Sequence, residues 1–308
     1  WSEFRDIQKM PLTKKLEQAK QFPEILHSYG DELYQRASKQ LGDKWLDIAA
    51  AMNTPANLIL RVNTLKNSKE ELIKLLAKEG IEVTESAVAP WALICKQRSN
   101  VFQTTLFKEG RFEVQDAGSQ LIAEYCNAEP GKFVIDACAG AGGKSLYLAA
   151  KMKNKGRIIA MDVEAYKLQE LKRRASRAGV HNIQMEVIEG QKSIKKHNNQ
   201  ADILLLDVPC SGSGVLKRNP DAKYKITNSF IYELTEKQKF ILQNYSQMLK
   251  NGGSLVYATC SILPEENEGQ IRNFLNNNGG FELEEERTIY PNEMGFDGFY
   301  MARIQKKG

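Results

Sequence analysis

The chain has 308 residues, of which 42% are hydrophobic and 26% are charged, and its net charge is +5. This composition excludes a disordered or fibrous protein, and the length suits one large domain or two of medium size. Apolar runs are too short to span a bilayer, and the first twenty residues lack the apolar segment of a signal peptide. We therefore expect no membrane partner, and the mild positive charge is compatible with RNA.

Residues 1–125 predict a small α+β domain, which we expect to bind RNA. The predicted elements are a helix-rich stretch over 12–40, a capped helix over 68–78, and strands at 58–63, 81–83 and 112–115, the last leading into a second domain. No low-complexity linker separates the two parts, so we expect them to pack closely.

Residues 126–308 alternate short apolar runs with helical stretches. This alternation predicts an α/β fold, a Rossmann-like domain whose mostly parallel sheet carries helices on both faces. The predicted strands are 133–137, 157–161, 183–187, 201–206, 254–258, 281–285 and 298–304, and the predicted helices are 143–152, 164–178, 230–249 and 264–274.

A glycine-rich turn follows the first of these strands, at residues 138–145. A P-loop would need glycine where Cys138 stands, and a dinucleotide fingerprint would need a third glycine where Ser145 stands. What remains is a glycine turn plus Asp162 at the end of the second strand, where a carboxylate can accept both hydroxyls of a ribose. This order of elements predicts S-adenosylmethionine (SAM) as cofactor. Glu189, after the third strand, is either a contact for the adenine end or an exposed loop residue.

The five cysteines are Cys95, Cys126, Cys138, Cys210 and Cys260. Their odd number and wide spacing argue against a disulfide framework and favour a reducing cytoplasm. No C-x-x-C pair occurs and the three histidines are scattered, so no metal site is predicted.

Two of the cysteines follow apolar strands, Cys210 after 201–206 and Cys260 after 254–258. In a methyltransferase sheet the first, fourth and fifth strands are neighbours, so both thiols should meet beside the glycine turn. Methylation of cytosine at C5 needs a thiolate to attack C6, a carboxylic acid near the base and a group that frees the product. Asp207, Cys210 and Cys260 supply these groups, and we expect Lys144 to lower a thiol pKa or to orient the base. The alternative is a pair of small buried residues.

Two basic clusters accompany these motifs. Lys172, Arg173, Arg174 and Arg177 share one predicted helix, which is either a solvated face or an RNA contact. A second cluster follows Cys210, where we expect a role near substrate phosphates. Its members are Lys217, Arg218, Lys223 and Lys225.

Several motifs together resemble the RNA cytosine-C5 methyltransferase family, the RsmB/Sun-like group. They are residues 136–145, 207–221, Thr259-Cys260-Ser261, Pro264-Glu265-Glu266-Asn267, Gln115-Asp116-Ala117-Gly118-Ser119-Gln120 and Arg61-Val62-Asn63. The resemblance implies that Cys260 is the nucleophile, that Cys210 assists release of the methylated RNA, and that Asp207 contacts the target cytosine. It further implies a SAM site lined by Cys138, Ala139, Gly140, Ala141, Gly142, Gly143, Lys144, Asp162, Glu189 and Asp207, although many members have aspartate at the position of Glu189.

The expected function is therefore SAM-dependent C5 methylation of a cytosine in RNA, with ribosomal RNA as the first choice of substrate and a monomer as the expected state. Three alternatives stay open. The chain could act on tRNA with the same site, it could be a non-catalytic RNA-binding factor in ribosome assembly, or its converging thiols could serve redox chemistry.

Overall fold

The computed structural model describes residues 9–308, so the first eight residues of the predicted N-terminal domain lie outside the described residues. Among the described residues the helices α1 (Leu12–Ala19), α2 (Pro23–Leu26), α3 (Asp31–Leu41) and α4 (Lys44–Met52) precede the first strand. The predicted helical stretch ended at residue 40, whereas α4 extends the helical region to Met52. Its apolar face explains this, because Trp45, Ile48 and Met52 are buried at helical spacing.

A small antiparallel sheet follows, with strands in the order β2-β3-β1-β4. Its elements are β1 (Ile59–Val62), α5 (Lys69–Lys78), β2 (Val83–Glu85), β3 (Ala92–Cys95), α6 (Thr105–Lys108) and β4 (Phe112–Val114). The predicted cap of α5 is confirmed, since the Ser68 hydroxyl accepts a hydrogen bond from the Glu71 amide. Strand β2 begins two residues later than predicted, and β4 belongs to this sheet because it pairs with β1.

The second sheet has seven strands in the order β10-β11-β9-β8-β5-β6-β7. Strands β9, β8, β5, β6 and β7 run parallel to one another. Strands β11 and β10 extend the sheet beyond β9 with antiparallel pairing. The elements are α7 (Ala117–Tyr125), β5 (Phe133–Asp136), α8 (Gly143–Lys151), β6 (Arg157–Asp162), α9 (Ala165–Ala178), β7 (Ile183–Val187), α10 (Gln191–Lys195), β8 (Ala201–Asp207), α11 (Asn228–Tyr245), β9 (Leu249–Thr259), α12 (Glu268–Asn277), β10 (Phe281–Ile289) and β11 (Phe299–Lys306).

Helices cover both faces of this sheet. Val134 packs in a core with side chains of α7, α8 and α9, and the next residue, Ile135, packs in a second core with side chains of α10, α11 and α12. Alternation along a strand sends successive side chains to opposite faces. The predicted α/β fold, a Rossmann-like domain preceded by a smaller α+β unit, is confirmed.

The N-terminal helices pack against the loops that follow β8 and β9. Buried residues of α3 and α4 share a core with Leu216 and Ile226 of the first loop and with Ile262 and Leu263 of the second. These helices therefore support the segments that carry Cys210 and Cys260.

Among residues 9–308 no helix combines the length and the apolar character that crossing a membrane requires. Within the same residues no group of three or more His, Cys, Asp or Glu side chains is arranged to hold a metal ion.

Candidate active site

The glycine turn between β5 and α8 is held by the carboxylate of Asp162 at the end of β6. Asp162 Oδ2 accepts a hydrogen bond of 2.8 Å from the Gly140 amide, and Oδ1 accepts one of 2.9 Å from Glu164. Gly140 and Gly142 have φ of +53° and +81°, which glycine adopts at little cost. A Cβ at Gly140 would enter open space, whereas one at Gly142 would overlap Leu171. Asp162 thus shapes the turn and keeps one lone pair on each oxygen for a ligand.

Asp136, the last residue of β5, is a second buried carboxylate at this edge. Its Oδ2 accepts a 2.6 Å hydrogen bond from Ser145, while Oδ1 is buried without a hydrogen-bond partner in the described part of the chain. Burial, aided by the charge of Asp207, raises the pKa of Asp136 to about 7. Cys138 lies beside it, and burial together with these carboxylates raises the pKa of its thiol well above the ordinary value.

The thiols of Cys210 and Cys260 meet at the same edge, with Sγ atoms 3.3 Å apart. The predicted adjacency of their strands is confirmed, since β8 lies between β5 and β9. The pKa of Cys210 is raised well above its usual value, first by its hydrogen bond with Cys260, then by burial and by the negative charge of Cys260. Cys210 is therefore suited to keep its proton and donate it towards Cys260.

Glu266 joins the loop that carries Cys210 to the loop that carries Cys260. Its carboxylate is fully buried and accepts hydrogen bonds from the Ser211 amide at 2.8 Å and from the Ser211 and Ser261 hydroxyls at 2.5 Å each. Gln238 of α11 adds a further donor at 3.0 Å. Because each serine directly follows one of the cysteines, this single carboxylate fixes the separation of the thiols.

Lys144 and Asp207 form an ion pair beside the thiols. Burial alone would lower the pKa of Lys144, but the negative charges of Asp207, Asp136 and Cys260 outweigh it and the pKa is raised. Lys144 is thus a cation within electrostatic range of Cys260. The structure brings these four predicted catalytic residues, Lys144, Asp207, Cys210 and Cys260, to one edge with the glycine turn and Asp162.

The sequence pattern of the family described as 16S rRNA methyltransferase RsmB/F matches residues 123–305, and that of a ferredoxin-like domain of the same proteins matches residues 31–102. The chain belongs to the RsmB/F family.

Curated relatives of this RsmB/F chain include the probable ribosomal RNA small subunit methyltransferase B of Bacillus subtilis, with 35% identity over 82% of this chain and 61% of its own length. The ribosomal RNA small subunit methyltransferase B of Pasteurella multocida is 39% identical over 87% of this chain and 63% of its own. The chain therefore spans slightly less than two thirds of these relatives.

Solved structures agree with this assignment. The crystal structure of a methyltransferase homolog protein from Pyrococcus horikoshii is 31% identical, has a TM-score of 0.81, and is matched over 92% of this chain and 97% of that one. The structure of NSun6 from Pyrococcus horikoshii with SFG has a TM-score of 0.83 at 22% identity over 92% of this chain and 100% of that one, which indicates a shared fold.

Glu189 of the RsmB/F chain lies two residues after β7, with an exposed side chain. Its amide donates to the Ser193 hydroxyl at 3.1 Å. β7 pairs with β6, so Glu189 follows the strand next to Asp162. A contact with a bound adenine stays a prediction.

The two basic clusters are largely engaged within the chain. Arg174 and Arg177 form ion pairs with the buried Glu113 of β4, at 3.0 and 2.6 Å. In the second cluster Arg218 pairs with Asp116 and Asp297, and the buried Lys223 donates to Asn53. The partners of these four cations come from distant parts of the chain, which a sequence pattern does not reveal: the small sheet supplies Glu113, the end of α4 supplies Asn53, and the segments before α7 and β11 supply Asp116 and Asp297.

Sequence reasoning missed the role of Glu266, which it named only within the motif Pro264-Glu265-Glu266-Asn267. A signal did exist, because Pro209-Cys210-Ser211 and Thr259-Cys260-Ser261 repeat a Cys-Ser pair. Two serines at matching strand ends need a shared acceptor when they are buried. Glu266, five residues after Ser261, is that acceptor.

Proposed function

We propose that this chain transfers a methyl group from SAM to C5 of a cytosine in RNA, through a covalent bond between Cys260 Sγ and C6 of the base. The observation that carries the proposal is the 3.3 Å separation of two thiols at the sheet edge that also bears the glycine turn. Membership of the RsmB/F family supports methyl transfer to RNA, and the names of the relatives support small-subunit ribosomal RNA.

The residues present fit SAM as the methyl donor. The open space beside Gly140 and the remaining lone pairs of Asp162 offer room and acceptors for a ligand with hydroxyl and amino groups. A relative of the same fold was solved with SFG, a SAM analogue. Bound SAM would supply an electrophilic methyl group, and the carboxylates of Asp136, Asp162 and Asp207 favour its positive charge.

The chain's own residues divide the chemistry. Lys144 stabilises negative charge at Cys260, whose thiolate adds to C6 and makes C5 nucleophilic. The Lys144–Asp207 pair presents a donor and an acceptor to the N3 edge of the base, so that the charge developing there is stabilised.

C5 then takes the methyl group and afterwards loses its proton to a base, and the electron pair of that C–H bond expels Cys260 from C6. Cys210, held at hydrogen-bond distance, returns a proton to the departing sulfur and so assists release. Residues 1–125 and the surface around the site select the RNA.

The test is to incubate the protein with SAM and, separately, with small-subunit ribosomal RNA and tRNA, and to measure 5-methylcytosine by nucleoside mass spectrometry. We expect methylation of the ribosomal RNA by the wild type and by Cys95→Ala, a matched cysteine remote from the site, and none by Cys260→Ala. Methylation of tRNA alone would support the tRNA alternative. A wild type that binds RNA but not SAM would support the non-catalytic assembly factor, and undiminished methylation by Cys260→Ala would overturn the mechanism.

A further inference from the structure

The buried side chain of Arg61, on strand β1 of the small sheet, contacts the glycine turn between β5 and α8 of the large domain. Its Nη1 donates to the carbonyl oxygen of Gly143 at 2.5 Å and to Gln115 Oε1 at 2.6 Å. Only 4% of its surface is exposed, and its guanidinium stands 5.6 Å from the ring of Tyr147 on α8. Burying a cation costs folding free energy unless the cation is hydrogen-bonded, so these two hydrogen bonds stabilise Arg61 at the boundary between the two domains.

A second guanidinium, that of Arg174, hydrogen-bonds to the same turn. Arg174 of α9 donates to the carbonyl oxygen of Ala141 at 2.7 Å and is held by Glu113 of β4. Glu113 is the register partner of Arg61 in the small sheet, so one cross-strand pair controls both contacts. The carbonyls of Ala141 and Gly143 are thereby fixed from the side of the small sheet.

Fixing the Gly143 carbonyl has a consequence for Lys144. The peptide group is planar and trans, so the Gly143 carbonyl and the Lys144 amide point in opposite directions as one rigid unit. The side chain of Lys144 starts at the Cα next to that plane, and its Nζ donates a hydrogen bond to Asp207. A shift of the plane therefore moves the glycine turn and the Lys144–Asp207 pair together.

We propose that the cross-strand pair Arg61 and Glu113 positions the cofactor turn, so that the small N-terminal sheet forms part of the SAM site rather than serving only RNA. This inference rests on the proposed function for the identity of the ligand. Arg61 is a positioning residue, since it acts through Gly143.

The test compares Arg61→Met with Lys66→Met. Lys66 also joins the small sheet to the large domain, by donating to the Arg177 carbonyl at 2.7 Å in the last turn of α9, and its hydrogen bonds go to that carbonyl and to the Glu109 carbonyl rather than to the glycine turn. We expect Arg61→Met to raise KM for SAM at least about tenfold and to lower kcat at saturating SAM by a smaller factor, because a charge-assisted hydrogen bond to the turn is lost and the Lys144–Asp207 pair shifts with it. Arg61→Lys should restore part of the affinity, and Lys66→Met should leave both constants near the wild-type values.

A second readout does not depend on SAM. Amide hydrogen exchange of residues 139–144 in the ligand-free protein should be faster in Arg61→Met than in the wild type, and unchanged in Lys66→Met. If Arg61→Met fails to fold, Arg174→Met tests the same point, because it frees the Ala141 carbonyl and leaves Glu113 paired with Arg177. Unchanged exchange and unchanged KM in the Arg variants, or equal effects in Lys66→Met, would overturn the inference. A wild type that does not bind SAM would refute the proposed function, while the exchange result would still decide the role of Arg61.

Discussion

The hydroxyl of Ser211, the residue after Cys210, donates a 2.5 Å hydrogen bond to the buried carboxylate of Glu266. The same carboxylate accepts from Ser261, which follows Cys260, so one acidic side chain joins two loops that come from neighbouring strands. The thiols are therefore held at a set distance before any substrate binds, which is how preorganised sites limit the cost of reaching the reactive geometry.

Replacing Glu266 should loosen this arrangement. Glu266→Gln presents an amide donor to groups that are themselves donors, and an unsatisfied buried network costs about 1–3 kcal/mol. We expect a lower melting temperature and slower methyl transfer, measured by thermal unfolding and by single-turnover assays. Glu265→Gln is the matched control, because the Glu265 carboxylate accepts hydrogen bonds from Arg36 and Gln40 and not from the two serines. A Glu266→Gln protein with wild-type rate and stability would contradict this role.

Asp162→Ala should weaken SAM binding while RNA binding is largely kept. The change removes the acceptor of the Gly140 and Glu164 amides and the proposed ribose acceptor, and hydrogen bonds to a charged group contribute about 1.5–3 kcal/mol each. Titration calorimetry with SAM and filter binding with RNA separate the two effects. Glu164→Ala, whose side chain pairs with Lys167 on the surface, should bind SAM normally. Equal loss of SAM and RNA binding in Asp162→Ala would mean that the residue is only structural.

The glycines of the turn should divide into two classes. Gly142→Ala places a Cβ onto the buried Leu171 at a positive φ, and overpacking typically costs about 1–3 kcal/mol. Gly140→Ala meets open space, so its cost is mainly the positive φ, about 1 kcal/mol, but the methyl group would occupy the proposed SAM site. We therefore expect Gly142→Ala to lose more unfolding free energy in urea, and Gly140→Ala to lose more affinity for SAM. The same order in both measurements would show that the space beside Gly140 is not the ligand site.

Asp136 should make stability depend on pH. Burial raises the pKa of Asp136 from its ordinary value of 3.8 to about 7, so the folded protein binds this proton more tightly than the unfolded chain. Its contribution is full below about pH 4 and falls as the pH rises towards 7, by at most about 1.4 kcal/mol per pH unit. The difference in unfolding free energy between wild type and Asp136→Asn should decline over that interval and level off above it. A constant difference would mean that the carboxyl is ionised throughout.

Much of the large domain could be predicted because its central strands are apolar runs buried on both faces and flanked by clear stop signals. The exceptions have physical causes. Strand β9 begins at Leu249, with an irregularity in its pairing to β8, and not at the predicted residue 254. The preceding helix therefore ends at Tyr245 and not at the predicted residue 249. Strand β3 is a four-residue apolar run, which is too short to be recognised by periodicity alone.

The site shows the same division. The approach of Cys210 to Cys260 follows from the order of neighbouring strands and could be expected. The roles of Glu113 and Arg61 could not, because a charged residue on a short strand is ordinarily assigned to the surface. Only the packing of the small sheet against α8 and α9 buries these groups and gives them partners.

Trapping the covalent intermediate tests the proposed mechanism at its decisive step. Cys210→Ala is incubated with SAM and small-subunit ribosomal RNA, and the mixture is denatured and resolved by electrophoresis, with Cys95→Ala as control. We expect an RNA–protein adduct that survives denaturation in Cys210→Ala, that maps to the peptide containing Cys260, and that disappears in the double variant Cys210→Ala/Cys260→Ala. An adduct that persists without Cys260, or methylation that proceeds in its absence, would contradict the central claim.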